Sequence, residues 1–438
     1  MIKIDEGYKK VLHITNKNAI NGGVGNVIKY LNKGLKEYDE FESHSLLTDY
    51  NHQEMKPEKS ELIKDIDGNK KVEVEGGLEK IIDDYDLVHV HGVPHYGVLE
   101  NLEKVKNKKN TKIVNTVHSS VKKEFLTHYN NAKNSDEEQL KNDFKCLKYY
   151  LDNGILEDPT KFGETFWGSS IYRQEKIMTI SDSIQHMNDV YKNEIINEYK
   201  ANENKNKHKV IPNGVEKIEE YTERPKDKRI LYVGRFAKEK GIDELIESLP
   251  QVFEEHPDAK IKLVGGDKEG NLVKEYRNKV EKRIKDYFSD KEKHNHKDYL
   301  SNIEFTGWIS DKEKLKEHYR WTDYVIIPST AESFSLTASE ALMHKRIPIM
   351  TKTKALDDLY ISKGIGIGIN EEDRHPEGIA NVLKDVLKNH KSKDHDKIAE
   401  KGRKFVLENY SFENMIKNQV KSYKELLEKR KEKDKKEK

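Results

Sequence analysis

The stretch Tyr324-Val-Ile-Ile-Pro-Ser-Thr-Ala-Glu-Ser-Phe-Ser-Leu-Thr-Ala-Ser-Glu-Ala-Leu342 indicates the fold class of this chain. Its apolar start, Tyr324–Ile327, predicts a short buried strand, and the run after Ser335 predicts a helix with Ser335 or Thr337 as its N-cap. Glu332 then lies in the loop that follows the carboxyl end of a strand. In open α/β sheets, ligands bind at this end of the strands.

The start of the predicted helix is a candidate binding site. The backbone N–H groups of residues 334–337 point out of a helix N-terminus, where phosphate or sugar oxygens can accept hydrogen bonds. Glu340, eight residues after Glu332, lies farther along the same helix and can reach back toward a ligand at its end. The pattern therefore favours a ligand that carries phosphate or sugar oxygens.

Two series of short apolar runs, separated by longer amphipathic stretches, extend through the 438 residues. Strands that alternate with helices predict parallel sheets with helices on both faces, and two series predict two doubly wound domains. The first series of predicted strands is Val11–Ile14, Ser45–Leu47, Leu87–Val90, Lys112–Thr116, Ile177–Ile180 and Val210–Pro212. The second series is Ile230–Val233, Ile261–Val264, Ile303–Phe305, Tyr324–Ile327, Ile347–Met350 and Gly364–Ile369.

The domain limits follow from these series. We expect an N-terminal domain over residues 1–215, a polar connection at Glu216–Lys228, and a C-terminal domain over residues 229–410. Residues 121–172 form a polar stretch longer than an ordinary connection, and we interpret them as a helical insertion that could touch an acceptor. The last residues, 411–438, have the pattern of one long charged helix.

The composition excludes several classes of protein. The chain has 80 Lys and Arg against 79 Asp and Glu, so its net charge of +1 gives no overall attraction to nucleic acid. A single cysteine, Cys146, excludes an intrachain disulfide and a cysteine zinc cluster. The charged N-terminus does not resemble a signal peptide, and no run approaches the ~20 apolar residues of a membrane span. We therefore expect a cytoplasmic protein, with peripheral contact to a membrane left open.

The two glutamates resemble a known signature. Together with the preceding strand, the Pro-Ser turn and the Ala-Leu that follows Glu340, they match the Glu-x7-Glu of retaining GT-B glycosyltransferases, family 4 in particular. The resemblance implies two Rossmann-like domains with a cleft between them, and a C-terminal helix, 411–438, that crosses back to the first domain. It also implies that Glu332 binds hydroxyls of the donor sugar and that Glu340 holds the nucleotide ribose. The donor-binding residues between and beside them are then Ser333, Phe334, Ser335 and Leu336.

A second motif, Gly234-Arg-Phe-Ala-Lys-Glu-Lys-Gly241, follows the first predicted strand of the C-terminal domain. It resembles the Gly-Arg-x4-Lys-Gly of the same family. Negative charge builds on the leaving nucleoside diphosphate as the glycosidic bond breaks, and two fixed cations can stabilise this charge without a metal. The resemblance assigns this task to Arg235 and Lys240. It also places the loop at Gly22 and Gly23, before the first helix, against the donor diphosphate.

Histidines accompany the predicted strands of the N-terminal domain. His118 follows the strand that ends at Thr116, and the resemblance implies that it lies beside the donor sugar and the reaction centre. His89, His91 and His95 have a spacing that could also suit zinc. Since no acidic or thiol partner follows nearby, we interpret these three as lining the cleft.

Two Asp-x-Asp pairs are candidates for a metal–nucleotide site, Asp65 with Asp67 and Asp394 with Asp396. Neither pair follows a predicted strand, where such a site would lie, so we assign both to solvent. We expect no metal and no cofactor, with a UDP- or GDP-sugar as the donor substrate.

The sequence thus predicts a retaining hexosyltransferase that moves a hexose-type sugar from a nucleotide-diphosphate sugar to an acceptor in glycan, glycolipid or glycoconjugate synthesis. The acceptor could be a glycan, a lipid, a protein or a small molecule. A catalytically silent partner subunit of the same fold is the first alternative, and the presence of Arg235, Lys240 and Glu332 disfavours it. A nicotinamide-dependent oxidoreductase is the second, and the absence of Gly-x-Gly-x-x-Gly disfavours it.

Overall fold

The computed structural model divides the chain into two compact units. It describes residues 8–16, 22–48, 60–63, 71–73, 78–108, 111–122, 166–199, 205–266, 270–288 and 299–436. The first unit combines Met1–Pro212 with Met415–Lys438, and the second is Asn213–Asn414. Both units are α/β, so the predicted fold class is confirmed.

The first unit is built on an eight-stranded sheet. Its strands are β1 (Lys9–Asn16), β2 (Phe41–Thr48), β3 (Ser60–Ile63), β4 (Lys71–Glu73), β5 (Leu87–His91), β6 (Lys112–Thr116), β7 (Ser183–His186) and β8 (His208–Val210). The helices described in this part are α1 (Gly23–Leu35), α2 (Leu78–Ile82), α3 (Tyr96–Lys108), α4 (Phe166–Ile180) and α5 (Asp189–Glu198). The order is β4-β3-β2-β1-β5-β6-β7-β8, in which β3 pairs antiparallel with both β2 and β4 and the other described pairs are parallel. The carboxyl ends of β1, β5 and β6 therefore lie side by side.

The second unit is built on a six-stranded parallel sheet. Its strands are β9 (Arg229–Gly234), β10 (Lys260–Gly265), β11 (Ile303–Gly307), β12 (Tyr324–Ile327), β13 (Ile347–Thr351) and β14 (Ile367–Ile369). Its α-helices in the described ranges are α6 (Ile242–Glu255), α7 (Asn271–Phe288), α8 (Lys312–Trp321), α9 (Leu336–Met343), α10 (Lys354–Leu356), α11 (Pro376–Lys388) and α12 (Lys393–Asn409). The strand order is β11-β10-β9-β12-β13-β14, so the winding direction reverses between β9 and β12. In doubly wound sheets, this reversal opens a crevice at the carboxyl ends of the two strands.

A last helix, α13 (Phe412–Lys436), returns to the first unit. It approaches α1 so closely that a Cβ added to Gly34 would lie 2.3 Å from Ile416 Cγ1. Its Tyr423 is fully buried and bonds His89 of β5, with 2.6 Å between the hydroxyl oxygen and Nδ1. The predicted return of the C-terminal helix to the first domain is confirmed.

One predicted strand was wrong. Ile177–Ile180 is the last turn of α4, and the strand comes next, at Ser183–His186. A short apolar run does not distinguish a buried strand from a buried helix end, and Gln185 and His186 obscure the apolar pattern of the true strand. Most of the predicted insertion at 121–172 lies outside the described residues, and its end forms the start of α4.

The assignment of Asp396 to solvent was also wrong. Its carboxylate pairs with Arg224 at 3.1 Å and with Lys226 at 2.8 Å. Arg224 is buried and also contacts the buried Asp323 at 3.3 Å, so Asp396 helps to neutralise an interior ion cluster. Asp394 is exposed and pairs only locally in the structure, with Lys397. Asp65 and Asp67 lie outside the described residues.

None of the helices in the described ranges combines the length and the apolar composition that crossing a lipid bilayer requires.

Candidate functional site

The two motifs of the second unit meet at the reversal of its sheet. The loop after β9 carries Lys240, and the loop after β12 carries Glu332. Lys240 Nζ donates to Glu332 Oε1 at 2.7 Å, and the Ser329 hydroxyl donates to the same oxygen at 3.0 Å. The Glu332 side chain keeps 15% of its surface exposed and that of Lys240 keeps 25%. A carboxylate and an ammonium group therefore stand together, partly open to solvent, where a doubly wound sheet binds ligands.

The two loops are held together by backbone contacts. The Thr330 N–H donates to the Glu239 carbonyl at 2.9 Å. Gly241 adopts φ +66°, and a Cβ at this position would lie 2.1 Å from the carbonyl oxygen of Pro328. Only glycine fits this contact, because a side chain would meet both the strain of a left-handed residue and a fixed carbonyl. The last residue of the Gly-Arg-x4-Lys-Gly motif thus sets how closely the Lys240 loop approaches the Glu332 loop.

Arg235 lies on the same loop but has a different partner. Its guanidinium donates to Glu239 Oε1 at 2.7 Å, and the side chain is 62% exposed. The Arg235 carbonyl accepts from the Tyr232 hydroxyl at 2.7 Å, which fixes the turn at the end of β9. The structure therefore joins Lys240 to Glu332 directly and leaves Arg235 exposed on the surface of the loop.

Glu340 lies in the second turn of α9 and is held by a tyrosine. The Tyr319 hydroxyl of α8 donates to Glu340 Oε2 at 2.7 Å. Burial raises the pKa of Glu340, while the bond from Tyr319 opposes part of that rise. Burial also raises the pKa of Tyr319 well above its usual range, so the hydroxyl stays protonated and remains a donor. Tyr319 fixes the direction in which this carboxylate points.

Ser335 begins α9 in an unusual backbone conformation. Its φ is +67° and its ψ is +91°, and its hydroxyl accepts a 3.3 Å bond from the Ala338 N–H as the N-cap of the helix. The prediction that Ser335 caps this helix is confirmed. Residues with a Cβ rarely adopt positive φ, which accounts for glycine as the usual residue of the resembled motif at this position. Phe334 beside it is buried, and Leu336 is the first helical residue.

Histidines gather at the carboxyl ends of β1, β5 and β6 in the first unit. His118 Nε2 lies 3.4 Å from His91 Nδ1, and His91 Nε2 lies 3.0 Å from His13 Nδ1. His95 Nε2 lies 3.3 Å from the Asn16 side-chain amide. Burial lowers the pKa of His118 to about 4 and that of His13 to about 3, so these rings are neutral at pH 7. The sequence identified His118 and the strand histidines but missed His13, a polar residue in the middle of an apolar strand.

Within the described residues, His13, His89 and His91 are close enough to share an ion, with ligand atoms within 4.8 Å of one another. His89 uses both ring nitrogens for protein partners, whereas His13 Nε2 has no hydrogen-bond partner within the described residues. The Thr116 hydroxyl donates to Gln185, so it accepts from His89 Nε2, and His89 Nδ1 accepts from Tyr423. Hydrogen bonds through the trio therefore join three strands and the last helix.

The glycine loop of the first unit begins α1. Gly22 is the N-cap, with φ −109° and ψ −165°, and its carbonyl accepts from Asn26 at 3.1 Å. Gly23 is the first helical residue, so the helix begins inside the predicted glycine loop rather than after it. Neither residue places a side chain over the first amides of the helix, which suits close approach of an anion.

Several contacts at these sites were not predicted from the sequence. Ser329, Tyr319 and Tyr360 each bond a residue of the Glu332 loop or of α9. Ser329 belongs to the quoted motif, and its place three residues before Glu332 was a usable signal. The tyrosines lie in other elements, and nothing in their local sequence marks them.

The fold matches solved structures across nearly the whole chain. Sucrose-phosphate synthase from Thermosynechococcus elongatus superposes with a TM-score of 0.66 at 17% identity, over 95% of this chain and 99% of that one. A structure of HepE from Anabaena in complex with UDP and glucose superposes with a TM-score of 0.60 at 13% identity, over 95% and 100%. The fold is GT-B.

Sequence comparison finds a family similarity within the second unit. Residues 215–405 match the model of the glycosyl transferases group 1 family, and they include the Lys240 and Glu332 loops. An uncharacterized glycosyltransferase of Methanocaldococcus jannaschii is 27% identical over 294 residues. That match covers 63% of this chain and 66% of the relative, so it spans slightly less than two thirds of the relative's length. The two candidate loops therefore lie in a segment that is similar to glycosyl transferases group 1, within a chain of GT-B fold.

Proposed function

We propose that this protein is a retaining glycosyltransferase that transfers a hexose-type sugar from a nucleotide-diphosphate sugar to an acceptor. The observation that carries the proposal is the Lys240–Glu332 pair, 2.7 Å apart, at the sheet reversal within the segment that is similar to glycosyl transferases group 1. A similar structure supports the donor class, since HepE from Anabaena was solved in complex with UDP-glucose.

Glu332 would bind the donor sugar. A carboxylate can accept two hydrogen bonds from neighbouring hydroxyls, and such charge-assisted bonds are among the strong ones. Lys240 and Ser329 both hold Oε1, which fixes the orientation of the carboxylate. Oε2 of the same carboxylate has no bond to either residue and could meet a sugar hydroxyl.

Lys240 and Arg235 would stabilise the leaving group. As the bond from the anomeric carbon to the diphosphate oxygen breaks, negative charge moves onto the diphosphate, and fixed cations lower the energy of that state. The N–H groups at the start of α9, near Ser333, Phe334, Ser335 and Leu336, add donors with the favourable end of a helix dipole. The acceptor hydroxyl would attack on the face from which the diphosphate departs, and this retains the anomeric configuration.

The remaining motif residues take the roles that the resemblance gives them. Glu340, oriented by Tyr319, would accept from the ribose hydroxyls of the nucleotide. In the first unit, we propose that Gly22 and Gly23 bind the diphosphate through backbone N–H groups. His118, which is neutral at pH 7, would hydrogen-bond a sugar hydroxyl.

A donor screen tests the proposal. The protein is incubated with UDP- and GDP-sugars of several hexoses, and released nucleotide is detected by mass spectrometry. The anomeric configuration of the first-formed product is then read from its proton coupling in an NMR spectrum. Release with one donor and a retained anomer are expected. No release from any donor, or an inverted anomer, would contradict the proposal.

Two charge-neutralising variants separate the roles of the glutamates. Glu332→Gln should reduce turnover by about 10²-fold while leaving nucleoside-diphosphate affinity nearly unchanged, because the bare diphosphate lacks the sugar. Glu340→Gln should mainly weaken nucleotide affinity, measured by calorimetry. Glu408→Gln, on the exposed surface of α12, is the matched control and should change neither quantity. A Glu332→Gln variant with normal turnover would show that this carboxylate does not bind the reacting sugar.

A further inference from the structure

A tyrosine outside both motifs controls the backbone at the start of α9. The short helix α10 continues into a π-helical turn, Asp357–Ile361, and Tyr360 in this turn is fully buried. Single π-turns are rare and often lie at functional sites, since they displace one side chain from its regular helical position. Tyr360 packs edge to face against Phe334, with ring centroids 6.4 Å apart. The π-turn therefore delivers a phenol to the interior side of the Glu332 loop.

The Tyr360 hydroxyl bonds two consecutive peptide groups of that loop. It donates to the Phe334 carbonyl at 2.9 Å and to the Ser335 carbonyl at 3.2 Å. Its oxygen lies 2.8 Å from the Ser339 hydroxyl, which donates to it because the phenol proton is already shared between the carbonyls. The phenol therefore makes three contacts within residues 334–339, with its one proton shared between two carbonyls and one lone pair accepting from Ser339.

These bonds fix where the amides of the loop point. In a trans peptide, the C=O and the following N–H point in opposite directions. Carbonyls of Phe334 and Ser335 that face the buried Tyr360 therefore turn the N–H groups of Ser335 and Leu336 away from the interior. Those are the amides at the open N-terminal end of α9, where an anion would bind.

The same bonds oppose the natural preference of Ser335. A serine at φ +67° is disfavoured, and without a restraint its backbone would move toward negative φ. That movement would rotate the two peptide groups and redirect both amides. A strained backbone conformation persists only where the surrounding structure restrains it, and the hydrogen bonds from Tyr360 supply such a restraint at Ser335.

We propose that Tyr360 is a positioning residue that holds the amides of Ser335 and Leu336 toward the diphosphate of the donor. The inference rests on the proposed function, since it concerns the same donor site. Tyr360 does not contact the donor. It binds the two carbonyls and thereby holds the backbone conformation of Ser335, which sets the direction of the two amides.

The test compares Tyr360→Phe in two backgrounds. The variant keeps the ring and loses the hydroxyl, and we expect kcat for donor turnover to fall about 10-fold with a smaller change in KM, because the amides matter most when charge develops on the diphosphate. In a Ser335→Gly background, positive φ is no longer disfavoured, so the same loss should shrink to less than about 3-fold. Tyr324→Phe is the matched control. It also removes a buried tyrosine hydroxyl of the second unit, one that bonds His395, and should change stability without changing kcat.

The outcomes separate this inference from the proposed function. Unchanged kcat in Tyr360→Phe, or an equal loss in the serine and glycine backgrounds, would overturn the positioning role while leaving the transferase activity standing. A wild-type protein that turns over no nucleotide sugar would overturn the proposed function and, with it, the role of Tyr360 toward a donor. The background-dependent loss is the result that supports the inference, since a merely structural hydroxyl would not produce it.

Discussion

Acidification should destabilise the first unit of this protein more than the second, in which burial also lowers the pKa of His344 to about 3. Four histidines of the first unit form one cluster, in which His13, His89 and His91 are buried and His118 is partly buried. Burial lowers the pKa of His13 to about 3 and of His118 to about 4, and it lowers the pKa of His89 and His91 well below their usual value. Each ring also faces other imidazoles of the cluster, which oppose a positive charge on it. The folded unit therefore holds these rings neutral at pH values where the unfolded chain protonates them.

The sign and size of the effect follow from proton linkage. Below the unfolded pKa of about 6.5, the unfolded chain binds more protons than the folded one, so the free energy of unfolding falls as pH falls. Between pH 7.5 and 5.5, each histidine that stays neutral in the fold removes about 1.4 kcal/mol. The four together remove about 5 to 6 kcal/mol, which is comparable with the whole stability of many domains. The buried His186 and His208 act in the same direction, since burial lowers the pKa of both.

Urea unfolding at pH 7.5, 6.5 and 5.5 measures the loss, and hydrogen exchange read by mass spectrometry locates it. Peptides from β1 and β5 should lose protection at pH 5.5 before peptides from β12 do. His91→Gln removes one titrating ring and should reduce the pH-dependent loss by about 1.4 kcal/mol, even if the variant is less stable at pH 7.5. An unfolding midpoint that does not change between pH 7.5 and 5.5 would refute the reasoning, because it would mean that these rings titrate alike in the folded and unfolded states.

Three further predictions concern the second unit. Lys240→Ala should lower kcat/KM by about 10²-fold, because it removes one fixed cation. Lys238 is exposed in the same turn, and Lys238→Ala should leave kcat/KM within about 2-fold of the wild-type value. Equal kcat/KM values for the two variants would contradict the role of Lys240. Activity should persist in excess EDTA, and full loss restored by Mn²⁺ or Mg²⁺ would reject a metal-free reaction. Ser335→Gly should raise the free energy of unfolding, measured with urea, by up to about 1 kcal/mol. Glycine relieves the strain of positive φ and loses only the weak N-cap hydrogen bond of the serine. A clear decrease in the free energy of unfolding would show that the serine conformation is not strained.

Strands buried on both faces were the predictable part of the fold. Tyr324–Ile327 and Lys112–Thr116 are β12 and β6 to the residue, because covered parallel strands have nearly continuous apolar sequences. The edge strand β4 and its neighbour β3 were missed, since they are short and antiparallel and contain several polar residues. The sequence also could not give the order of the strands. It predicted that sheets form, but not which two loops a sheet brings together.

The candidate site divides in the same way. Glu332 and Lys240 stand in motifs that the sequence displays, and the structure shows that they touch across 92 positions of the chain. Tyr360 lies 26 and 25 positions along the chain from Phe334 and Ser335, whose carbonyls it binds. Tyr319 lies 21 positions from Glu340, whose carboxylate it orients. Neither tyrosine lies in a recognisable sequence pattern. Their contacts depend on how a π-turn and a neighbouring helix pack, which is decided by the assembled unit.

The distribution of unfavourable backbone in the second unit argues that these loops were selected for binding rather than for stability. A partly exposed ion pair such as Lys240–Glu332 contributes on the order of 1 kcal/mol. Yet the loops that carry it require a left-handed glycine wedged against a carbonyl at Gly241, a left-handed serine at Ser335, and the π-turn that restrains that serine. Each of these lowers stability or limits which residues can stand there. Because such features persist where function compensates for their cost, their convergence on one pair of loops at the sheet reversal identifies the position at which the donor should bind.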